Sequence, residues 1–372
     1  MATLLDTTLR HLRALVAFDT RNPPRAIDTG GIFAYLRAQL PGFAHTLVDH
    51  GDGAVSLHAV RGAPRLLFNV HLDTVPDSPL WSTDPFELRV EGDHATGLGA
   101  CDIKGAAAAL VAAAQASDGA AAFLFTSDEE ANDARCIAAF LAGQAARGAG
   151  DPYEAVIVAE PTRCEAVLAH RGISSVQVRF GGRAGHASGV QAPSDNAVHQ
   201  ALSWGSRALA HAASLSHARF GGLTGLRFNV GRIEGGIKAN VIAPACEVRF
   251  GMRPLPSMDS DALLRTFRGL ADVEPLDFTE TFRGAPLPAG DVGDAESRRL
   301  VARDLADALH LPIGNAVDFW TEAALFSQAG FTALVYGPGD IAQAHSADEW
   351  VALEHLERYA GTVHRLIAGG SA

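Results

Sequence analysis

The sequence predicts an α/β protein that carries a smaller α+β domain as an insertion. Three observations lead there. Short apolar runs rich in Val, Leu and Phe, at 66–70, 122–126, 155–159 and 333–336, lack the polar alternation of a half-solvated strand, so both faces of their sheet are covered. Ala- and Leu-rich stretches of helical composition, 105–117 and 135–146, lie among these runs, as a sheet flanked by helices requires. From about Gly172 to Phe282 the pattern changes: alternating strands (175–180, 226–231 and 246–250) surround two helical stretches, 194–213 and 260–270, the habit of an antiparallel sheet with one open face.

Taken along the chain, residues 3–18 place Leu5, Leu9, Leu12, Leu15 and Val16 on one face of an amphipathic helix. The buried strands and their helices follow, then the alternating segment, then a Gly/Pro/Asp-rich link at 284–294, after which the helix-then-strand pattern resumes. The expected division is therefore a discontinuous catalytic domain, 1–171 with 284–372, and an inserted domain, 172–283. A chain of 372 residues has room for two domains at roughly 150 residues each.

Composition narrows the classes of function. Lys and Arg number 30 against 42 Asp and Glu, a formal charge of −12, and no stretch concentrates the basic residues, so a nucleic-acid partner is not expected. The longest apolar run, 106–114, is less than half a membrane-spanning length, so no membrane association is expected either. No export signal is legible at the start. The four cysteines, Cys101, Cys136, Cys164 and Cys246, form no C-x-x-C pair, which suits reduced thiols in a cytoplasmic protein better than a disulfide framework or a thiolate zinc site.

The chemistry gathers at the ends of the buried strands. The first runs into His71-Leu-Asp73, the second into Asp128-Glu129-Glu130, the third into Glu160-Pro-Thr, and the fourth is followed by Gly337-Pro-Gly and then His345. Sites in open α/β sheets lie at the carboxyl edge of the strands, where these side chains converge. Asp102, in Gly97-Leu-Gly-Ala-Cys-Asp-Ile-Lys-Gly, stands just before the Ala-rich helix. Each residue alone has an ordinary reading, since strand-end carboxylates cap helices and acidic pairs suit helix starts. Three adjacent carboxylates after an apolar strand are costly, however, without positive charge among them. Only Lys104 is at hand in these segments, whereas divalent metal ions would supply it. Two imidazoles with several carboxylates and no thiolate point to Zn²⁺, Co²⁺ or Mn²⁺. One carboxylate beyond the ligand set is expected if it serves as general base. Competing motifs fail: Gly97-x-Gly99-x-x-Asp102 has Asp where a dinucleotide fingerprint has its third Gly. No phosphate loop or H-E-x-x-H helix is present, and Gly185-His-Ala-Ser-Gly189 has the wrong spacing for a serine hydrolase.

Together these segments resemble the dinuclear-metal aminoacylase and carboxypeptidase family. Besides those already quoted, Gly182-Arg-Ala-Gly-His186-Ala-Ser, Met252-Arg253-Pro-Leu-Pro, Thr321-Glu-Ala and the stretch from Gly337 through His345 to Glu349 carry the resemblance. It runs in the family's order from about residue 65 to 350. The resemblance implies a zinc-peptidase-like catalytic domain with a mixed sheet, an inserted lid and dimerisation domain, and a homodimer. It implies one or two Zn²⁺ or Co²⁺ ions per subunit, with His71 and Glu160 on one, Glu130 and His345 on the other, and Asp102 bridging. By the same resemblance Asp73 orients His71, Glu129 is the general base, and His186 helps hold an oxyanion, usually in the partner protomer's site. Arg253 would clamp the substrate carboxylate and Asn240 would contact substrate; both also read as ordinary strand-surface residues, and His186 as a turn histidine. One departure is Gly251, where the family often has Asp two residues before the arginine. The reaction implied is hydrolysis of the N-acetyl amide of an N-acetylated amino acid in arginine synthesis. N-acetylcitrulline is the first candidate, with N-acetylornithine, or another amide or peptide such as succinyl-diaminopimelate, as alternatives.

Overall fold

A computed structural model describes residues 2–146, 153–190 and 192–369, and the chain divides into two compact units. The larger comprises Met1–Leu168, Val301–Gly314 and Thr321–Ala372, and the smaller Ala169–Leu300 with Asn315–Trp320. The architecture is an α/β catalytic domain with a smaller inserted domain.

The larger unit is built on a six-stranded mixed sheet. Its order is Ala44–Asp49, Val55–Arg61, Ala121–Thr126, Leu66–His71, Ala155–Val158 and Thr332–Val335. The last four are mutually parallel and are the four apolar runs read from the sequence. The first two form an antiparallel hairpin that joins the edge of Ala121–Thr126, which makes the sheet mixed. The sequence pattern did not single out this hairpin, because the outer strand's mixed exposure leaves no apolar run.

The helix Gly105–Gln115 is buried from Gly105 to Ala114 and packs against Leu4–Val16 and Leu353–Ala368. A helix apolar all round belongs in the interior, and its alanines let two neighbours approach closely. The first helix starts at Thr3, whose hydroxyl accepts the Asp6 amide while the Asp6 carboxylate accepts the Thr3 amide, a reciprocal cap contributing about 1 kcal/mol.

The smaller unit holds an antiparallel sheet in the order Arg227–Gly235, Ala245–Arg253, Ile173–Gly181, Asp277–Gly284. Alternation sends Cys246, Val248, Phe250 and Met252, with Val176, Val178 and Phe180, into a core shared with Trp204 and Phe267 from the helices Ala197–Ser214 and Ser260–Gly269. Trp204 Nε1 donates to the Phe267 carbonyl at 2.8 Å. This unit is larger than the expected 172–283. His170 bridges to Leu287 and to Val317, and Ala169 packs with Phe220, Leu223, Leu255 and Ala295, so the flanking segments fold onto the small core. Of the expected domain ranges, residues 1, 147–152, 191 and 370–372 lie outside the described residues. No helix among the described residues is long and apolar enough to cross a membrane.

Candidate metal centre

The parallel strands end nearly level, with His71 directly opposite Thr126, and so deliver their trailing polar residues to one place. Strand order sets the layout: the residues after Thr126 lie on one side of His71, and those after Val158 on the other. His71 Nε2 lies 3.2 Å from Asp102 Oδ1 and 3.9 Å from Glu160 Oε1. His345 Nε2 lies 3.3 Å from Asp102 Oδ2 and 3.1 Å from Glu130 Oε1. The ligand atoms fall into trios within 4.8 Å of one another: His71, Asp102 and Glu160; Asp102, Glu130 and His345; and His71, Glu129 and Glu130. Asp102 is common to the first two trios, each of its oxygens facing a different imidazole. Asp73 sits behind His71. Its carbonyl lies 3.0 Å from His71 Nδ1 and its Oδ1 3.5 Å, so the nearer group orienting the ring is the backbone carbonyl.

Asp102 reaches this position from an irregular turn. Residues 102 and 103 have non-helical dihedrals, the Asp102–Ile103 peptide is cis, and Gly99 adopts φ +77°. A Cβ at Gly99 would meet Thr74 Cγ2 at 2.7 Å, so only glycine passes there.

The charges are badly balanced in the protein alone. Burial, with Glu130, Asp73 and Asp102 adding to it against the pull of His71, pushes the Glu129 carboxyl up to about 8. Burial and Asp102 push Glu160 well above the carboxylate range. Burial likewise raises Glu130, although its bond to His345 opposes the shift. Burial works against a charged His71, yet Asp102 and Asp73 hold its pKa well above the usual imidazole value. His345 is raised to about 11 by its bonds to Asp102 and Glu130. Lys104, the cation noted in the sequence, does not relieve the cluster. It is fully buried, its Nζ donates to the Phe18 carbonyl at 3.0 Å, and burial lowers its pKa to about 8. The donor set therefore fits two divalent ions: imidazole nitrogens and carboxylate oxygens, two trios sharing one bridging carboxylate, and an excess of negative charge.

Residues 67–369 match the peptidase family M20/M25/M40. The chain belongs to that family. It is 70% identical over 370 residues to the N-acetyl-L-citrulline deacetylase of Xanthomonas campestris pv. campestris, covering 99% of this chain and 100% of the relative. It is 34% identical to the acetylornithine deacetylase of Myxococcus xanthus, with 98% of each chain covered. Among solved structures, the aminopeptidase PepT of Bacillus cereus superposes with a TM-score of 0.70 at 17% identity over 99% of both chains. The dipeptidase Dug1p of Saccharomyces cerevisiae does so with a TM-score of 0.68 at 15% identity, covering 97% of this chain and 95% of that one. These two likenesses establish the fold. The M20 membership and the paired trios make this a metal-dependent amidohydrolase with a dinuclear site.

The remaining candidates lie in the smaller unit. His186 is exposed; its Nδ1 receives the Ser188 amide at 3.3 Å and lies 2.7 Å from the Ser188 hydroxyl. With Nδ1 accepting, the proton belongs on Nε2, which is the tautomer an oxyanion donor needs. Asn240 is exposed and adjoins this turn, its carbonyl accepting the Ala187 amide at 3.1 Å. Arg253 is half-buried, and burial lowers its pKa while Asp318 opposes that shift. Directly across the sheet from it stands Arg227, whose guanidinium lies 3.7 Å from Asp318. The fully buried Arg171 donates to the Arg253 carbonyl at 3.3 Å and pairs with Asp318. Arginines directly opposite repel, so this end of the sheet is suited to a further anion.

Sequence reasoning missed several contributors. Asp128 does not join the metal trios: its Oδ2 accepts the Cys136 amide at 2.8 Å, so the ordinary capping reading holds for that one of the three adjacent acids. Asn22, hidden in an Asn-Pro-Pro turn, donates to Asp73 Oδ2 at 2.9 Å, and the Glu130 amide reaches the same oxygen at 3.0 Å. Glu322 is buried with its Oε2 3.3 Å from the Thr126 hydroxyl. Its place in Thr321-Glu-Ala was the only signal.

Proposed function

We propose that the protein hydrolyses the N-acetyl amide of N-acetyl-L-citrulline to citrulline and acetate, in the cytoplasm, within arginine synthesis. The observation that carries this reading is the 70% identity to an N-acetyl-L-citrulline deacetylase over the whole of that relative. The paired trios supply a site able to do the chemistry. His71 and Glu160 would hold one ion, Glu130 and His345 the other, and Asp102 both, while Asp73 keeps the His71 ring in place. Two such ions, when bound, polarise an acyl oxygen and make a water acidic near neutral pH.

The protein's own groups do the proton work. An oxygen of Glu129 lies within 4.8 Å of ligand atoms of His71 and Glu130 without belonging to either trio around Asp102, which leaves its carboxylate for a water proton. It takes that proton as the acetyl carbon is attacked and returns it to the departing amine. The Nε2–H of His186 is the donor for the oxyanion, and Arg253 takes the α-carboxylate with bidentate geometry. Asn240, on the turn beside His186, is a further substrate contact.

A homodimer accompanies this reading. Arg227–Gly235 is an edge strand of the smaller sheet, largely exposed and with Ile233 turned out, and an open edge of that kind invites a second copy. Four free, buried thiols agree with a reducing compartment.

The test is acetate release from N-acetylcitrulline and N-acetylornithine in parallel, on chelated protein reloaded with Zn²⁺ or Co²⁺. Metal-dependent release from the citrulline compound with little from the ornithine compound is expected. Preference for N-acetylornithine would overturn the substrate and keep the reaction. Release from neither would overturn both.

A further inference from the structure

Glu349 has no part in the chemistry above, yet its contacts are those of a brace. It is 2% exposed and lies four residues beyond His345. Its Oε2 accepts the Gly99 amide at 2.9 Å, and its Oε1 accepts the amides of Cys101 and Asp102, each at 2.8 Å. Its own carbonyl accepts the Gly97 amide at 3.0 Å. Four amides of the loop 97–102 thus end on one residue. The loop carries Asp102, whose two oxygens face His71 and His345. The brace is anchored in the same short segment as His345.

A buried acid that merely closes a loop for folding is the plain alternative. Two features argue for more. Burying a carboxylate is costly unless donors converge on it, and here all three side-chain bonds go to the stretch that positions Asp102. The brace also joins the two segments whose separation sets how Asp102 and His345 meet one ion. Asp102 serves both trios, but in the Glu130/His345 trio the brace fixes two of the three ligands, Asp102 through its loop and His345 through its own short segment. In the other trio it reaches only Asp102, so a shift at Gly99–Asp102 bears hardest on the Glu130/His345 site.

We propose that Glu349 is a positioning residue that sets the separation of Asp102 and His345, and through it the affinity of the Glu130/His345 site for its ion. The inference rests on the dinuclear part of the reading above and is independent of which acylated amino acid is cleaved.

The experiment is a Co²⁺ titration of the chelated protein, followed by calorimetry and by visible absorption, for the wild type, Glu349→Gln and Glu349→Asp. Wild type is expected to take two equivalents. In Glu349→Gln an amide NH₂ must face a backbone N–H, and one of the two equivalents, that of the Glu130/His345 site, should weaken roughly ten- to hundredfold with an altered absorption band, while the other is unchanged. Glu349→Asp keeps the charge on a shorter arm and should recover part of that loss. Wild-type affinity and spectrum in both variants would overturn the inference, as would an equal loss of both equivalents, the mark of a purely structural role. If Glu349→Gln does not fold, Glu349→Asp carries the test: selective weakening of one equivalent supports the inference, and any other pattern overturns it. Failure of the wild type to bind two equivalents would remove the dinuclear reading and this inference with it, an outcome distinct from the variants matching a two-ion wild type.

Discussion

The stability of the metal-free protein should fall steeply between pH 5 and pH 8, and bound metal should flatten that fall. In the folded chain the Glu129 carboxyl is pushed up to about 8 from an ordinary 4.5, first by burial. Between those values the native state holds a proton that the unfolded chain has lost, so stability present at pH 5 is lost as pH rises. Burial pushes Glu160 and Glu322 the same way, and Asp128 up to about 6 and Glu349 to about 7. His345, raised to about 11 by Asp102 and Glu130, has the same sign above pH 6.5. Within the cluster the opposing shifts act elsewhere: Asp102, lowered by His345 and His71 against burial, acts below its ordinary 3.8, and Lys104, lowered by burial to about 8, acts between there and 10.5. Away from the cluster, burial lowers His11, His45, His50 and His355, which opposes the fall only below their ordinary 6.5. One proton is worth about 1.4 kcal/mol per pH unit, so Glu129 alone removes about 4 kcal/mol across the window, a large part of the ~5–15 kcal/mol that holds a domain folded. Bound cations keep Glu129 and Glu160, which lie in the trios, ionised in the native state, which removes their share of the proton difference. A free ion at 100 times its dissociation constant adds about 2.7 kcal/mol besides. The assay is the urea midpoint at half-unit pH steps, with chelator and with Zn²⁺. A metal-free midpoint that is flat or rises with pH would refute the electrostatic account of the cluster, and equal slopes with and without Zn²⁺ would refute the placement of the ions.

Further outcomes follow from individual contacts. Glu129→Gln should bind metal nearly as the wild type does and lose roughly two to four orders of magnitude in turnover; near-normal activity in an acetate assay would remove its role as base. If His186 serves the partner's site, mixing His186→Ala with Glu129→Gln subunits should restore part of the activity, and a purified heterodimer with none would place His186 in its own subunit. Asn22→Ala removes a buried partner of Asp73 and should cost about 1–3 kcal/mol in denaturant unfolding of the metal-free protein, while an unchanged midpoint would show that water replaces the amide. Gly251→Asp meets only ordinary contact, 3.7 Å from the Ser174 carbonyl to an added Cβ, and should fold normally. Its new charge on the same sheet face as Arg253 should raise KM several-fold with little change in kcat, and a fall in kcat alone would separate Arg253 from carboxylate binding.

The legible and illegible parts of this protein divide by distance along the chain. Parallel strands buried on both faces read as apolar runs, so their ends, and the polar residues beginning at His71, Asp128 and Glu160, stood out. The alternation in 173–181 and 245–253 is likewise local, and it announced a sheet with one open face. The strand Ala44–Asp49 went unread because an edge strand needs no apolar run, and with it the antiparallel side of the sheet.

Residue type and spacing by themselves determined the α/β class, the insertion, and a ligand set of imidazoles and carboxylates suited to divalent metal. They did not sort Asp128, which caps a helix, from Glu129 and Glu130, which face the metal trios, since three neighbouring acids look alike until the chain turns. Nor did they show Asn22 on Asp73 or Glu349 on the Asp102 loop, partners 51 and 247 residues apart in sequence. Tertiary structure decided those, because hydrogen bonds between distant segments depend on strand order and register, and neither quantity is written in any local stretch of the chain.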